Sequence, residues 1–182
     1  GYEIRDMAQS KSPLPIVWAI SSSGKLLGIT YVPEQSVGGW HWHDTEDGAG
    51  VFESVTAVAE GAEDAVYLVV RRTINGQSKR YIERMEHRYR DGENPASAFF
   101  VDCGLTYSGA PADEISGLGH LEGKEVNILA DGSVRPRQTV TGGKITLDEE
   151  ASLVHVGLMI RGQVKTLPVA YETASYAQGK RK

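Results

Sequence analysis

Apolar and polar positions alternate with a period of two through the first half of the chain, which is the signature of half-buried β-strands. Ile16–Ile20 (IVWAI) and Leu26–Val32 (LLGITYV) are compact β-prone runs, with Ser23-Gly24 supplying turn chemistry between them. Gly39–His43 (GWHWH), Val51–Val58 (VFESVTAV), Ala65–Arg72 (AVYLVVRR) and Lys79–Met85 (KRYIERM) follow. Asn75-Gly76, between the last two, is the dipeptide most typical of a tight hairpin, because both positions accept positive φ. No stretch here carries the i, i+3, i+4, i+7 stripe of an amphipathic helix, so little helix is expected.

The strands also recur. Residues 4–32 and 53–83 each read as a short strand, a polar loop, a bulky β-run, a Gly-centred turn and a third β-run. Val17-Trp18 falls opposite Val66-Tyr67, an offset of 49 residues. A three- or four-stranded meander repeating at about that interval is how β-propeller blades are written. Two such units either belong to a larger propeller or pack as a small sandwich.

The texture changes at Arg88–Ser97 (RYRDGENPAS), a polar stretch with Gly and Pro that reads as a boundary. Phe99–Val101 restarts β-like hydrophobicity. GLGHLEG (117–123) leads into Glu125–Leu129, and Asp131-Gly132 makes a turn. Thr139–Thr141 with Gly142-Gly143 and Lys144–Leu147 reads as a second hairpin, and Ser152–Ile160 and Val164–Val169 read as further strands. The expected architecture is all-β: two antiparallel propeller-blade-like meanders over residues 1–98, then a small antiparallel barrel or sandwich of about five or six strands over 99–170. Residues 171–182 are weakly patterned and read as a tail or the start of another element.

Composition narrows the classes. The 182 residues carry 19 basic and 24 acidic side chains, a formal charge of −5, which gives no general signal for binding a polyanion. Cys103 is the only cysteine, so no internal disulfide forms, and the chain suits a reducing cytoplasm or an assembly built there. No apolar run approaches the ~20 residues that span a bilayer, and no secretory signal is present. Gly1-Tyr2-Glu3 and Lys180-Arg181-Lys182 read as cuts through a longer protein.

The stretch GGWHWHDT (38–45) holds the most conspicuous candidate chemistry. On a strand, His41 and His43 share one face and Trp40 and Trp42 the other. A same-face histidine pair can chelate a first-row metal, with Asp44 or Asp47 adding a carboxylate and His87, His120 or His155 a third ligand. The plainer reading sends the tryptophans into the core and leaves the histidines on a polar face, with no metal and no cofactor bound. GLGHLEG departs from the dinucleotide fingerprint by glycine spacing and by the strand that follows it. Ser22 and Ser54 lack a nucleophile elbow, and Cys103 reads as a small, partly buried thiol. Glu46, Asp47 and Glu53, and likewise Asp113 and Glu114, read as solvated loop acids rather than a glycosidase pair. Arg71-Arg72 and Lys79-Arg80 flank the Asn75-Gly76 turn; those on an outer face can meet an acidic partner or subunit, and solubility and edge protection account for them equally well.

Taken in order, IVWAISSSGKLLGITYVPEQSVGGWHWHDT, FESV, VYLVVRRTINGQSKRYIERM, FFVDCGLTYSGAP, ISGLGHLEGKEVNILADGSV and TVTGGKITLDEEASLVHVGL resemble the tail nozzle or tail tubular proteins of short-tailed phages and related prophages. The resemblance runs over residues 4 to 182. It implies a propeller-like body with inserted β-domains, assembled as a ring around the DNA exit channel, with GLGHLEG opening the second β-module. It implies a structural virion component rather than an enzyme, made in the bacterial host cytoplasm. Its partners are then other tail proteins and copies of itself, with DNA passing through without specific binding and without membrane insertion. Trp42, Tyr81, Arg84 and Tyr107 are the expected interface residues. Two other classes stand beside it: a carbohydrate- or host-receptor-binding module using Trp42 or Tyr107, and a metal-dependent hydrolase using His41 and His43.

Overall fold

The computed structural model describes residues 3–35, 37–45 and 49–166. Among the described residues, eleven strands form three antiparallel sheets of four, three and four strands, none closed into a barrel. The first sheet is a meander of β1 (Ile4–Ser10), β2 (Ile16–Ser21), β3 (Leu26–Val32) and β4 (Val37–His43). The second is β5 (Val51–Glu60), β6 (Glu63–Ile74) and β7 (Gln77–Arg84). The third holds β8 (Asp102–Ile115), β9 (Glu125–Ala130), β10 (Ser133–Thr139) and β11 (Ile145–Leu158), in the order β10-β9-β11-β8. No α-helix occurs among the described residues. The expected turns form where Gly, Asn and Asp supply positive φ: Gly24, Asn75-Gly76 and Asp131-Gly132.

The first two sheets pack face to face over one core. Ile16, Trp18, Ile20 and Leu26 come from the first sheet, and Phe52, Val55, Val66, Leu68 and Val70 from the second. At the corner between them, the Asp6 carboxylate accepts hydrogen bonds from Ser54 Oγ (2.6 Å) and the Val55 N–H (2.9 Å). The Ser54 bond, with the Val55 bond behind it, holds Asp6 below the usual carboxylate range.

Backbone hydrogen bonds define how the two meanders face each other. In an antiparallel strand a residue sends its N–H and C=O to the same side. For an L-chain running upward with that residue's side chain toward the eye, the side is the right. The Ser21 N–H donates to Lys25 O (2.9 Å), so Val17, Ala19 and Ser21 point their backbone groups at β3. Val66 O accepts from the Met85 N–H (2.8 Å), so Val66, Leu68 and Val70 point theirs at β7. From outside the first sheet, therefore, β1 lies left of β2 and β3 right. From the core side of the second sheet, β5 lies left of β6 and β7 right. These are equivalent faces of equivalent meanders, and the two units stack front to back in one sense. The odd offset of 49 residues agrees with this: it matches Val17 to Val66, one facing away from the shared core and the other into it.

The third sheet is a roll. β8 and β11 each run 14 residues and stay paired through several register shifts, from Ile145↔Ile115 to Leu158↔Asp102. The bulges bend both strands so that the sheet curls over its own core of Ile115, Val126, Ile128, Val154 and Val156. The open seam between β10 and β11 is bridged by side chains, Arg135 to Glu149 at 3.1 Å and, closer in, Gln138. The Gln138 amide donates to Thr146 O (2.7 Å) and accepts from the Thr146 N–H (3.2 Å), standing in for a missing backbone partner.

Several expectations change. ITL and SLVHVGL, expected on two strands, lie on one, Ile145–Leu158, because bulges absorb the polar interruption at Asp148–Glu150, and Met159-Ile160 fall beyond its end. Residues 102–115, whose Gly and Pro hide the alternation, form β8, and the exposed Asp113 and Glu114 lie on it rather than in a loop. Phe99–Val101 is not a strand. GLGHLEG lies inside the third module, between β8 and β9, where its Leu118 and Leu121 are fully buried. Residues 164–166 have no regular structure, and Glu46, Asp47 and the 167–182 stretch lie outside the described residues.

Candidate functional site

The GWHWH strand is turned the opposite way from the plainer reading. Its histidines face the core, and its tryptophans face out. The register decides this: His41 pairs with Gly28 of β3, Trp42 with Leu27 and Trp40 with Ile29. β3 is apolar on both faces, so hydrophobicity alone does not choose between them. Gly28 does, because a Cβ there would overlap the His41 imidazole, so the ring occupies the space that glycine leaves.

Inside, His41 and His43 pack around Trp18, with ring centroids 5.5 and 5.7 Å from it and 5.2 Å from each other. His43 Nε2 is buried without a hydrogen-bond partner. Burial, then the neighbouring His41 and Arg88, lowers the His43 pKa to about 4, so the ring is neutral at pH 7. Burial also lowers His41. The other histidines are engaged elsewhere. His87 bonds Glu86, His120 meets Cys103 O, and His155 lies between Thr106 and Ala96 O. Among the described residues no three of His, Cys, Asp and Glu gather as a metal set.

Outside, β4 and β3 build an aromatic row. Tyr31 is 60% exposed, Trp40 70% and Trp42 51%, and Met7 on the same face is 57% exposed. The Tyr31 ring reaches over Gly38, its register partner, so three aromatics follow one another at two-residue steps along the edge strand. Between them and β1 lie the half-buried Leu27, Ile29 and Val17. Lys25 Nζ sits 3.9 Å above the Trp42 ring and ends the row with a cation–π contact.

The four expected interface residues lie on separate surfaces. Trp42 belongs to the row just described. Arg84 is on the outward face of the second sheet, ion-paired to Glu60 at 3.2 Å. Tyr81 faces the other way, into an open cleft of about 860 Å³ between the second sheet, residues 85–101 and the start of β8. His43, Arg88, Phe100, Cys103 and His120 also line it. Tyr107 is half-buried on β8, its hydroxyl donating to Ala110 O (2.6 Å).

Arg71 and Arg72 do not share a face, since alternation sends one out and one in. Arg71 pairs with Glu53 at 3.0 Å on the outside. Arg72 is almost wholly buried, and its guanidinium forks onto Glu83 (2.6 and 2.7 Å) and Asp102 (2.9 and 2.8 Å). Burial works against its charge, and the bonds to Glu83 and Asp102 more than offset that, raising its pKa. The Thr45 hydroxyl also donates to Asp102, so the first residue of the third sheet is tied to the second sheet and to the segment just after β4. Next to it, burial pushes the Cys103 thiol far above the ordinary range, leaving no thiolate near neutrality.

Sequence reasoning missed Tyr31, Trp40 and Met7 as surface residues and Arg72 as a joint. The signal for Tyr31 and Trp40 was the shared face with Trp42 once His41 is placed on Gly28, whereas Met7 joins that face only through its register with Ala19. No local signal marks Arg72. Among known proteins, no family model matches this chain, and no curated protein matches it significantly.

Proposed function

We propose that this chain is a structural assembly module without catalytic activity, a component of a phage tail of the nozzle or tail tubular kind. The observation that carries the assembly reading is the outward face of the first sheet, where Met7, Tyr31, Trp40 and Trp42 stand exposed on a backbone fixed from behind by the shared core. An aromatic face of this kind is characteristic of a surface that another macromolecule covers. The front-to-back stacking of two similar meanders supports it, since that arrangement extends by adding units. The phage-tail assignment rests on the ordered segments quoted above. In this reading the partners are other tail proteins and further copies of the chain, and the place of action is the virion, after synthesis in the host cytoplasm. The net charge of −5 suits a wall past which DNA travels without adhering. Immunogold labelling of particles from the source phage or induced prophage tests it: an antibody against this chain should mark the tail. Labelled particles nowhere, with the protein found free in the lysate, would rule the assignment out.

A second reading, glycan binding, is favoured by the Tyr31–Trp40–Trp42 row, since pyranose rings stack on exposed aromatic faces. Quenching or shift of tryptophan fluorescence on titration with host surface polysaccharide would support it, and an unchanged spectrum would dismiss it.

A further inference from the structure

We propose that the outward face of the first sheet is the seat for the outward face of the β5–β6–β7 sheet of a second copy of this chain, so that copies stack front to back. This deepens the assembly reading by naming the partner surface, and it rests on that reading.

The first argument is continuity with the interface already inside the molecule. There, the back of the first sheet, with Trp18 at its centre, lies on the front of the second, made by Phe52, Val55, Val66, Leu68 and Val70. The hydrogen-bond directions of Ser21 and Val66 make the front of the second sheet and the exposed front of the first equivalent faces. Repeating the same placement therefore puts the back of another meander on the front of β1–β3, with Met7 and Tyr31, and beside it on Trp40 and Trp42 of β4, a fourth strand for which the second sheet has no counterpart. Within this chain the face left over to play that part is the back of the second sheet.

The second argument is chemical fit. The back of the second sheet presents Ile82, 80% exposed, beside Val69 on β6. Around them stand Arg71, Arg80 and Arg84, each already tethered to Glu53 or Glu60. Tethered guanidinium planes lie flat on tryptophan faces and lose little freedom in doing so. Trp, Tyr and Met on one side against Arg and aliphatics on the other is the composition of interface centres. Because the two faces differ, the contact is heterologous and propagates, closing into a ring or running on as a filament.

Sedimentation velocity over a concentration series tests this with three proteins: the unaltered chain, the double variant Trp40→Ser/Trp42→Ser, and Ile82→Glu. All three positions are solvent-facing, and far-ultraviolet circular dichroism checks that each variant keeps its fold. The unaltered chain should associate, and each variant alone should associate ~30-fold more weakly or not at all. An equimolar mixture of the two variants retains one good interface per pair, so it should give dimers and nothing larger. If Ile82→Glu associates like the unaltered chain while the double variant does not, the aromatic faces pair with each other and the proposal is wrong. An unaltered chain that stays monomeric throughout overturns it too. So does a monomer whose tryptophan emission responds to polysaccharide, which would hand the face to a glycan. Failure of the broader reading is seen separately, in the absence of tail labelling.

Discussion

At position 28 the backbone of β3 passes beneath the His41 imidazole, so Gly28→Ala must push either the ring or the strand aside. Overpacking of this kind costs about 2 kcal/mol. Urea denaturation should show that loss, while Gly39→Ala on the same sheet, whose added Cβ meets open space, should cost far less. His43 gives the molecule a pH dependence. Its folded pKa of about 4 lies below the ordinary 6.5, so the unfolded chain takes up the proton first as pH falls. Stability contributed by the neutral ring is complete above about pH 6.5 and is lost progressively down to pH 4, by about 3 kcal/mol in total. Asp6, a carboxylate held below its ordinary 3.8, is shifted in the same direction, and its contribution is lost only at lower pH, as the medium falls below that value. Denaturation midpoints at pH 7, 5.5 and 4.5 should therefore fall steeply for the natural chain and much less for His43→Leu. Equal slopes would mean that His43 is hydrated rather than buried.

At the scale of elements, two local devices do work that strand propensity does not. Asp6 ties the bulged start of β5 to β1, and Gln138 closes the seam that the third sheet leaves open. Gln138→Ala removes both bonds to Thr146 and should cost about 1 kcal/mol. Hydrogen exchange is the sharper measurement: the Thr146 amide should exchange faster while Val154, on the paired half of β11, keeps its protection. An unchanged Thr146 rate would show that the seam is held without Gln138, by packing and the Arg135–Glu149 pair. Strands were legible where turn residues bracket them, as at Leu26–Val32, which forms over the predicted span. β8 was not legible. Gly104, Gly109 and Pro111 interrupt its alternation, and its 14 residues hold together only because β11 bends alongside it.

At the scale of the whole molecule, Arg72 is the joint. It lies on β6, reaches Glu83 on β7 and meets Asp102 at the start of β8. Arg72→Met would leave two carboxylates facing each other without their shared cation, a loss of roughly 3–5 kcal/mol. Because the bond spans modules, the variant should also uncouple them. Chemical unfolding should separate into two transitions, and proteolysis within residues 85–101 should accelerate. A single cooperative transition shifted to lower denaturant would mean the modules are coupled by other contacts.

The sequence by itself determined the all-β class, most strand positions in the first half, the hairpin turns and the presence of a repeated meander. Those follow from side-chain period and from the φ angles that Gly, Asn and Asp allow, which are local properties. It also determined that His41 and His43 share one face and Trp40 and Trp42 the other. Which face turns inward was decided only by tertiary structure, because β3 is apolar on both sides and only Gly28 leaves room for a ring. The burial of Arg72, the curl of the third sheet and the front-to-back stacking were decided there too. Each depends on partners tens of residues away in the chain, and a period of two carries no record of them.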